Sequence, residues 1–334
     1  MVMKNKDEIK KIIKQKYDTN LAFLTPRSQN HFSLRSYRMS GEKRYEQPIF
    51  IFQLIMRDWL MPPDKIFFGK NYIREKSSFL FRELPDHNFK TKKRKNIFRS
   101  KKKLLFDLNI LEVIYNWKLL GLDRNKNFHI FFQRGIDYLS LIDFDKILLS
   151  FDEFLEYYPA DAISKIYYLD YLGILDRKKE IENKFKNIFL NIPIAEDFIS
   201  DYKRAPSFFL RNKLYGMTHF IINKSLFYQN FVYKNDFDWI LDYFKNNIKE
   251  IIRLGTPDIL AEVGLCFKLC KQDATREIEE YLLDSFDKKM GYIVRGKGGI
   301  NCSEHTNILA ILFFSDFKKL YKGPDLSSYS LSCF

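Results

Sequence analysis

The chain has 334 residues, 46% of them hydrophobic and 29% charged, with a formal net charge of +14. That length suits one large or two ordinary domains with a sizeable core. No apolar run approaches the roughly 20 residues that cross a bilayer, the longest being Ile308 to Phe314. The basic N-terminal stretch lacks both an apolar h-region and a small-residue cleavage site, and four cysteines make no disulfide framework. These features argue against a secreted or membrane-spanning protein, and the expectation is a cytoplasmic protein with reduced thiols.

The positive charge is local. Lys90, Lys92, Lys93, Arg94, Lys95, Arg99, Lys101, Lys102 and Lys103 supply nine charges with no acid between them. A solvated basic loop is the expected reading, because an evenly spread nucleic-acid face would not concentrate its excess in one run. Nucleic-acid binding through residues 90–103 is the alternative, and its affinity would fall steeply with salt. The joint abundance of Lys, Asn, Ile and Phe is the usage that an AT-rich genome produces.

Along the chain, Gly (13) and Pro (10) are scarce and helical periodicity dominates. Helices are predicted over about 5–17 and 48–60, whereas residues 18–47 mix Asn, Ser, Arg and Gly without clear period and 86–103 read as a loop. From 104 to 120, Leu104, Leu105, Leu108, Leu111, Ile114, Tyr115 and Leu119 form one broad stripe. Further helices are predicted over about 127–142, 145–157, 161–174, 176–190 and 211–229. The next covers 236–254, capped by Asp236 and stopped at Gly255-Thr256-Pro257; the last cover 258–271, 274–288 and 304–321. Short connections make neighbours antiparallel hairpins. A less regular N-terminal region, 1–100, is therefore separated from a helical domain, 101–334.

Three helices in the second half are unusually apolar and carry polar groups near their starts. They are Tyr215-Gly216-Met217-Thr218-His219, Asp258-Ile259-Leu260-Ala261-Glu262-Val263-Gly264-Leu265-Cys266 and Ser303-Glu304-His305-Thr306-Asn307. His219, Glu262 and His305 follow one another at intervals of 43 residues. More amphipathic helices lie between them, and a period in the forties with two helices per unit signals stacked hairpins that form a solenoid or close into a ring.

The join before the third helix, Gly291-Tyr292-Ile293 followed by Arg295-Gly296-Lys297-Gly298-Gly299 and Cys302-Ser303-Glu304-His305, resembles the repeat of α/α-toroid proteins, the superfamily of terpenoid cyclases, protein prenyltransferases and lanthipeptide cyclases. The stretch 215–314 also looks like poorly characterised bacterial helical proteins carrying Thr-His, Ala-Glu-x3-Cys and His-Thr segments in this order. The resemblance implies an all-α fold, α/α-toroid-like in the C-terminal two-thirds as a complete or partial ring, with a central cavity holding a peptide or small-molecule ligand. The chain departs from those enzymes where their chemistry sits. It has no Asp-Asp-x-x-Asp or Asp-x-Asp-Asp box for ionising a prenyl diphosphate and no Cys-His-Gly triplet, Cys302 and His305 being three apart.

A carboxylate in the middle of an apolar helix is costly to bury unless paired or metal-bound, so Glu262 needs an explanation. Three are open: Glu262 pairs with a base and each histidine satisfies a neighbouring helix end; His219, Glu262 and His305 hold a metal, zinc being expected; or the same three perform acid–base chemistry. Cys266, Cys302 and His305 are the alternative metal set. Arg295 and Lys297, before a helix N-terminus, are candidate anion ligands, and Tyr215 is a further candidate ligand-binding residue. Tyr167, Tyr168, Asp170 and Tyr171 fit core packing better than a cavity wall, and His31, His87 and His129 have no evident partners. Two functions follow: a metal-dependent tailoring enzyme acting on a peptide or small molecule, and a non-catalytic helical scaffold or peptide-binding protein. Whether the chain is an enzyme stays open at this level.

Overall fold

The computed structural model describes residues 5–62, 69–86, 89–150, 152–191, 206–273, 276–296, 299–316 and 318–330. Among them the chain is α-helical apart from short 3₁₀ turns and one two-stranded hairpin. The helices are α1 (Lys6–Thr19), α2 (Pro26–Ser40), α3 (Glu46–Leu60), α4 (Lys70–Glu83), α5 (Phe89–Ile97), α6 (Lys102–Leu119), α7 (His129–Leu139), α8 (Phe144–Ser150), α9 (Asp152–Tyr157), α10 (Pro159–Tyr171), α11 (Lys178–Asn191), α12 (Pro206–Lys224), α13 (Asp238–Asn246), α14 (Ile248–Leu254), α15 (Pro257–Leu269), α16 (Arg276–Asp284) and α17 (Gly299–Phe314). The strands β1 (Phe286–Asp287) and β2 (Tyr292–Ile293) pair antiparallel before α17. None of the described helices is long and apolar enough to cross a membrane.

The all-α expectation holds, with local corrections; the predicted 211–229 and 304–321 helices end early, at Lys224 and Phe314, and four others change the reading more. Residues 18–47, read as irregular, contain α2. Its start and stop are ordinary: the Thr25 hydroxyl caps Ser28 N–H, Pro26 occupies the first helical turn, and Gly41 closes the end at φ 70°. The face it buries is mostly polar (Ser33, Ser36 and Arg38 beside Phe32), so hydrophobic period cannot reveal it. Thr25→Ala should cost about 1 kcal/mol, read as a Tm lower by roughly 2–4 °C; an unchanged Tm would show that the cap contributes nothing.

The predicted 236–254 helix breaks at Asn247 into α13 and α14, and Asp236 lies in a 3₁₀ turn instead of capping. The 274–288 helix stops at Asp284, because Phe286 and Asp287 pair with Ile293 and Tyr292 across a turn that Gly291 makes at φ 76°. The basic run is no loop: α5 and the start of α6 carry it. Arg94 donates from Nε to the Tyr157 carbonyl at 2.8 Å and lies 4.6 Å over the Tyr158 ring. Lys103 bonds both oxygens of Asp107 at 2.9 Å, so part of the run is matched within the fold.

The chain divides into two compact units, Met1–Phe52 with Phe220–Pro324, and Gln53–His219 with Asp325–Phe334. The expected break near residue 100 falls inside the second of these. In that unit α6 is buried nearly all round, against α4, α7 and α10. Tyr115 stacks on Tyr168 at 3.9 Å and meets Tyr171 edge-on, while Asp170 bonds Lys178, which is packing and surface pairing. In the first unit α17 plays the corresponding part. It is buried from Thr306 to Phe314 and packs against α15, α1 and α2. Gly264 lets α15 and α17 approach, since a Cβ there would stand 2.2 Å from the Phe313 ring.

Candidate functional site

All the residues of the site lie in the first unit. Helices α15 and α17 are apolar enough to be buried, so any polar side chain near their starts must find partners inside the protein. Four side chains do this in series. Glu304 on α17 places Oε1 2.9 Å from His31 Nδ1 on α2. His31 Nε2 lies 3.2 Å from His305 Nδ1. His305 Nε2 lies 3.5 Å from Glu262 Oε1 on α15. The two carboxylates are 5% and 3% exposed, whereas the imidazoles between them reach water at 23% and 35%. Buried acids at both ends and accessible bases in the middle is an arrangement for holding and moving protons.

The electrostatics set the direction of the hydrogen bonds. Burial pushes the Glu304 carboxyl up to about 8, against the pull of Arg35 and Arg27. Burial, with Arg35, His305 and Arg27 beside it, holds His31 well below the ordinary imidazole value. A protonated Glu304 therefore donates to a neutral His31, whose Nε2–H donates to His305 Nδ1, which leaves the His305 Nε2–H directed at Glu262.

The supporting structure is dense. Asn307, two residues after His305, accepts from Ile293 N–H and donates to the carbonyls of Ile293 and Ser303, each at 2.8 Å. Ser303 accepts from Arg295 N–H at 2.9 Å, so the hairpin and the loop after it are tied to the first turns of α17. Tyr17 of α1 stacks on Phe32 at 5.4 Å and donates to the Ile300 carbonyl at 2.9 Å. Past the end of α12, Leu226, Phe227 and Tyr228 hold φ values of 53°, 55° and 70°. Three successive side-chain-bearing residues in the left-handed region are strained. They are held there by Ser225 Oγ, which accepts Tyr228 N–H, and by the buried Arg38, which donates to the Phe227 carbonyl at 2.8 Å. The run sets the buried Tyr228 ring against the Arg35 guanidinium, 5.8 Å away.

Of the residues expected from sequence, Glu262 and His305 are brought together. His219 belongs to the other unit, where its Nδ1 lies 2.8 Å from the Tyr215 carbonyl one turn earlier in α12; Tyr215 itself is half-buried there. Arg295 is already engaged, with Nη1 3.2 Å from the buried Asp258, which the Thr256 hydroxyl also meets. Lys297 and His87 lie outside the described residues. Cys266 is fully buried one turn after Glu262, and burial raises its thiol, while Cys302 is exposed. Among the described residues no group of three or more His, Cys, Asp and Glu side chains is placed to hold a metal ion. The four site residues meet pairwise in a line and do not gather round one point. Sequence pattern does not mark His31, Glu304, Arg35 or Tyr228 as site residues. The one local signal for the first is Thr25-Pro26 and Gly41 bracketing a helix-length segment.

No curated protein and no solved structure matches the chain. A family model does match, over residues 6–332, nearly the whole length, and the chain belongs to that family, the domain of unknown function DUF3541.

Proposed function

We propose that the Glu304–His31–His305–Glu262 series is a general acid–base site of an enzyme, working through its own side chains on a peptide or small molecule. The observation that carries this reading is the unbroken run of contacts at 2.9, 3.2 and 3.5 Å between two buried carboxylates through two accessible imidazoles. His305, the more exposed imidazole, exchanges a proton with substrate. Glu262 orients its ring and balances the imidazolium when it forms. Glu304 and His31 resupply or remove the proton from behind: the Glu304 proton passes to His31 Nδ1, the His31 Nε2 proton passes to His305 Nδ1, and the His305 Nε2 proton, which at 3.5 Å from Glu262 is held more loosely than by a hydrogen bond, leaves to substrate. Each imidazole ends neutral and Glu304 ends as the carboxylate.

The α/α-toroid-like arrangement belongs to the same proposal. Ring closure requires an early helix to lie beside the last hairpin of the repeat, and the packing of α2 against α17 supports it. The zinc expectation receives no comparable support, because the donors follow one another in a line.

The test combines turnover with imidazole NMR on histidine-labelled protein. Hydrolytic or isomerising turnover found in a broad small-molecule and peptide panel should fall by about 10²–10⁴ in His305→Gln and persist in Cys302→Ser. Independently of any substrate, Glu304→Gln and Glu262→Gln should each shift the resonances of both His31 and His305. Two histidines that titrate separately, and that ignore both carboxylate variants, would overturn the reading.

A further inference from the structure

We infer that the arginine face of α2 is the oxyanion subsite of this site, taking the carboxylate or phosphate group of a small substrate beside His31 and His305. The inference rests on the acid–base reading above and adds the class of substrate. Arg27, His31 and Arg35 are spaced four residues apart and so share one face of α2. Arg27 is exposed and Arg35 half-buried. Among the described residues neither arginine forms an ion pair, and the Nε of Arg35 is shielded from water with no acceptor. The other donors meet the His31 carbonyl and the Tyr228 hydroxyl, but a buried Nε–H without an acceptor is costly unless something absent from the folded chain completes it.

The guanidinium is also pre-positioned. The Tyr228 ring covers one side, fixed by the strained run 226–228 that Arg38 pins. A weak bond from Arg35 Nη1 to the His31 carbonyl, 3.4 Å long, restrains it along the helix. The charge it faces is not cancelled locally. Glu304, the buried acid that feels both arginines, holds its own proton near neutrality and gives its hydrogen bond to His31. Two cations therefore stand beside a neutral Glu304–His31 pair. The planar edge of a guanidinium presents paired N–H donors that match two oxygens of a carboxylate or phosphate. An oxyanion seated there would lie next to the histidines and favour their protonated forms, which couples substrate binding to the relay.

The experiment is a titration of the full chain, histidine-labelled, with inorganic phosphate and separately with acetate. Saturable shifts of the His31 and His305 resonances are expected with at least one of them; phosphate alone would point to a phosphoryl group and acetate alone to a carboxylate. Arg35→Gln should weaken that binding at least tenfold with unchanged circular dichroism. Arg35→Lys, which keeps the charge and loses the fork, should fall between. Glu304→Gln should still bind the anion, so loss of the relay and loss of the subsite are distinguishable. Shifts that never saturate, or that survive unchanged in folded Arg35→Gln, would overturn the subsite. If Arg35→Gln does not fold, equal affinity in Arg35→Lys, Arg27→Gln and the parent chain would do the same.

Discussion

Glu304→Gln should make the protein progressively more stable than the parent as pH rises from 5 to 8. The Glu304 carboxyl is pushed up to about 8 in the folded chain by burial, while an unfolded glutamate ionises near 4.3. Between those values the folded state holds a proton that the unfolded state has released. Stability is therefore fully present below the unfolded value and is lost as pH rises through the folded one, by at most about 1.4 kcal/mol per pH unit. Glutamine cannot ionise, and its amide can donate to His31 Nδ1 as the protonated acid does. The variant should match the parent near pH 5 and exceed it near pH 8.

His31 works in the opposite sense, in a window that overlaps the acid side of this one. Its value is depressed on folding, so its contribution is present above the unfolded value near 6.5 and is lost as pH falls. The groups facing Glu304 are His31, Arg35 and Arg27 of α2 and Tyr17 of α1. Urea denaturation at several pH values measures the difference directly. Parallel profiles for parent and variant would mean that Glu304 is ionised in the folded chain and that the hydrogen bonds of the relay run the other way.

Asn307→Leu should cost about 3–5 kcal/mol, the sum of orphaned buried polar groups at about 1–3 each. One side chain satisfies both backbone groups of Ile293, on β2, and also reaches the Ser303 carbonyl and the Tyr17 hydroxyl. Leucine has similar volume, so the loss isolates hydrogen bonding from packing. The same change should loosen the hairpin from α17 and release Arg295, whose N–H is held by Ser303 and whose guanidinium meets Asp258. Faster amide exchange at Ile293 and Arg295 would accompany the lower urea midpoint. A cost below 1 kcal/mol would mean that the hairpin has another anchor.

Part of the site is legible in the amino-acid sequence. Glu262 stands out because a carboxylate flanked by Ile259, Leu260, Val263 and Leu265 is expensive wherever the helix is buried. Its pairing with His305 is one of the outcomes the spacing allows, and the two side chains do meet. The equal intervals also include His219, which the fold places in the other compact unit with its ring nitrogen at its own helix's backbone. Arg295 is a reasonable anion ligand by composition, yet a buried aspartate one turn before Glu262 takes its charge.

What the sequence determined by itself was therefore local. It determined the helical class, through 3.6-residue periodicity and few glycines and prolines, and it identified α15 and α17 as buried helices, since an all-round apolar helix has nowhere else to go. Tertiary structure alone decided the partners. His31 and Glu304 meet across 273 residues of chain, and no local pattern encodes that distance. The helix carrying His31 buries serines and an arginine, so it shows no hydrophobic stripe, and only the packing that brings the two faces together places it beside α17.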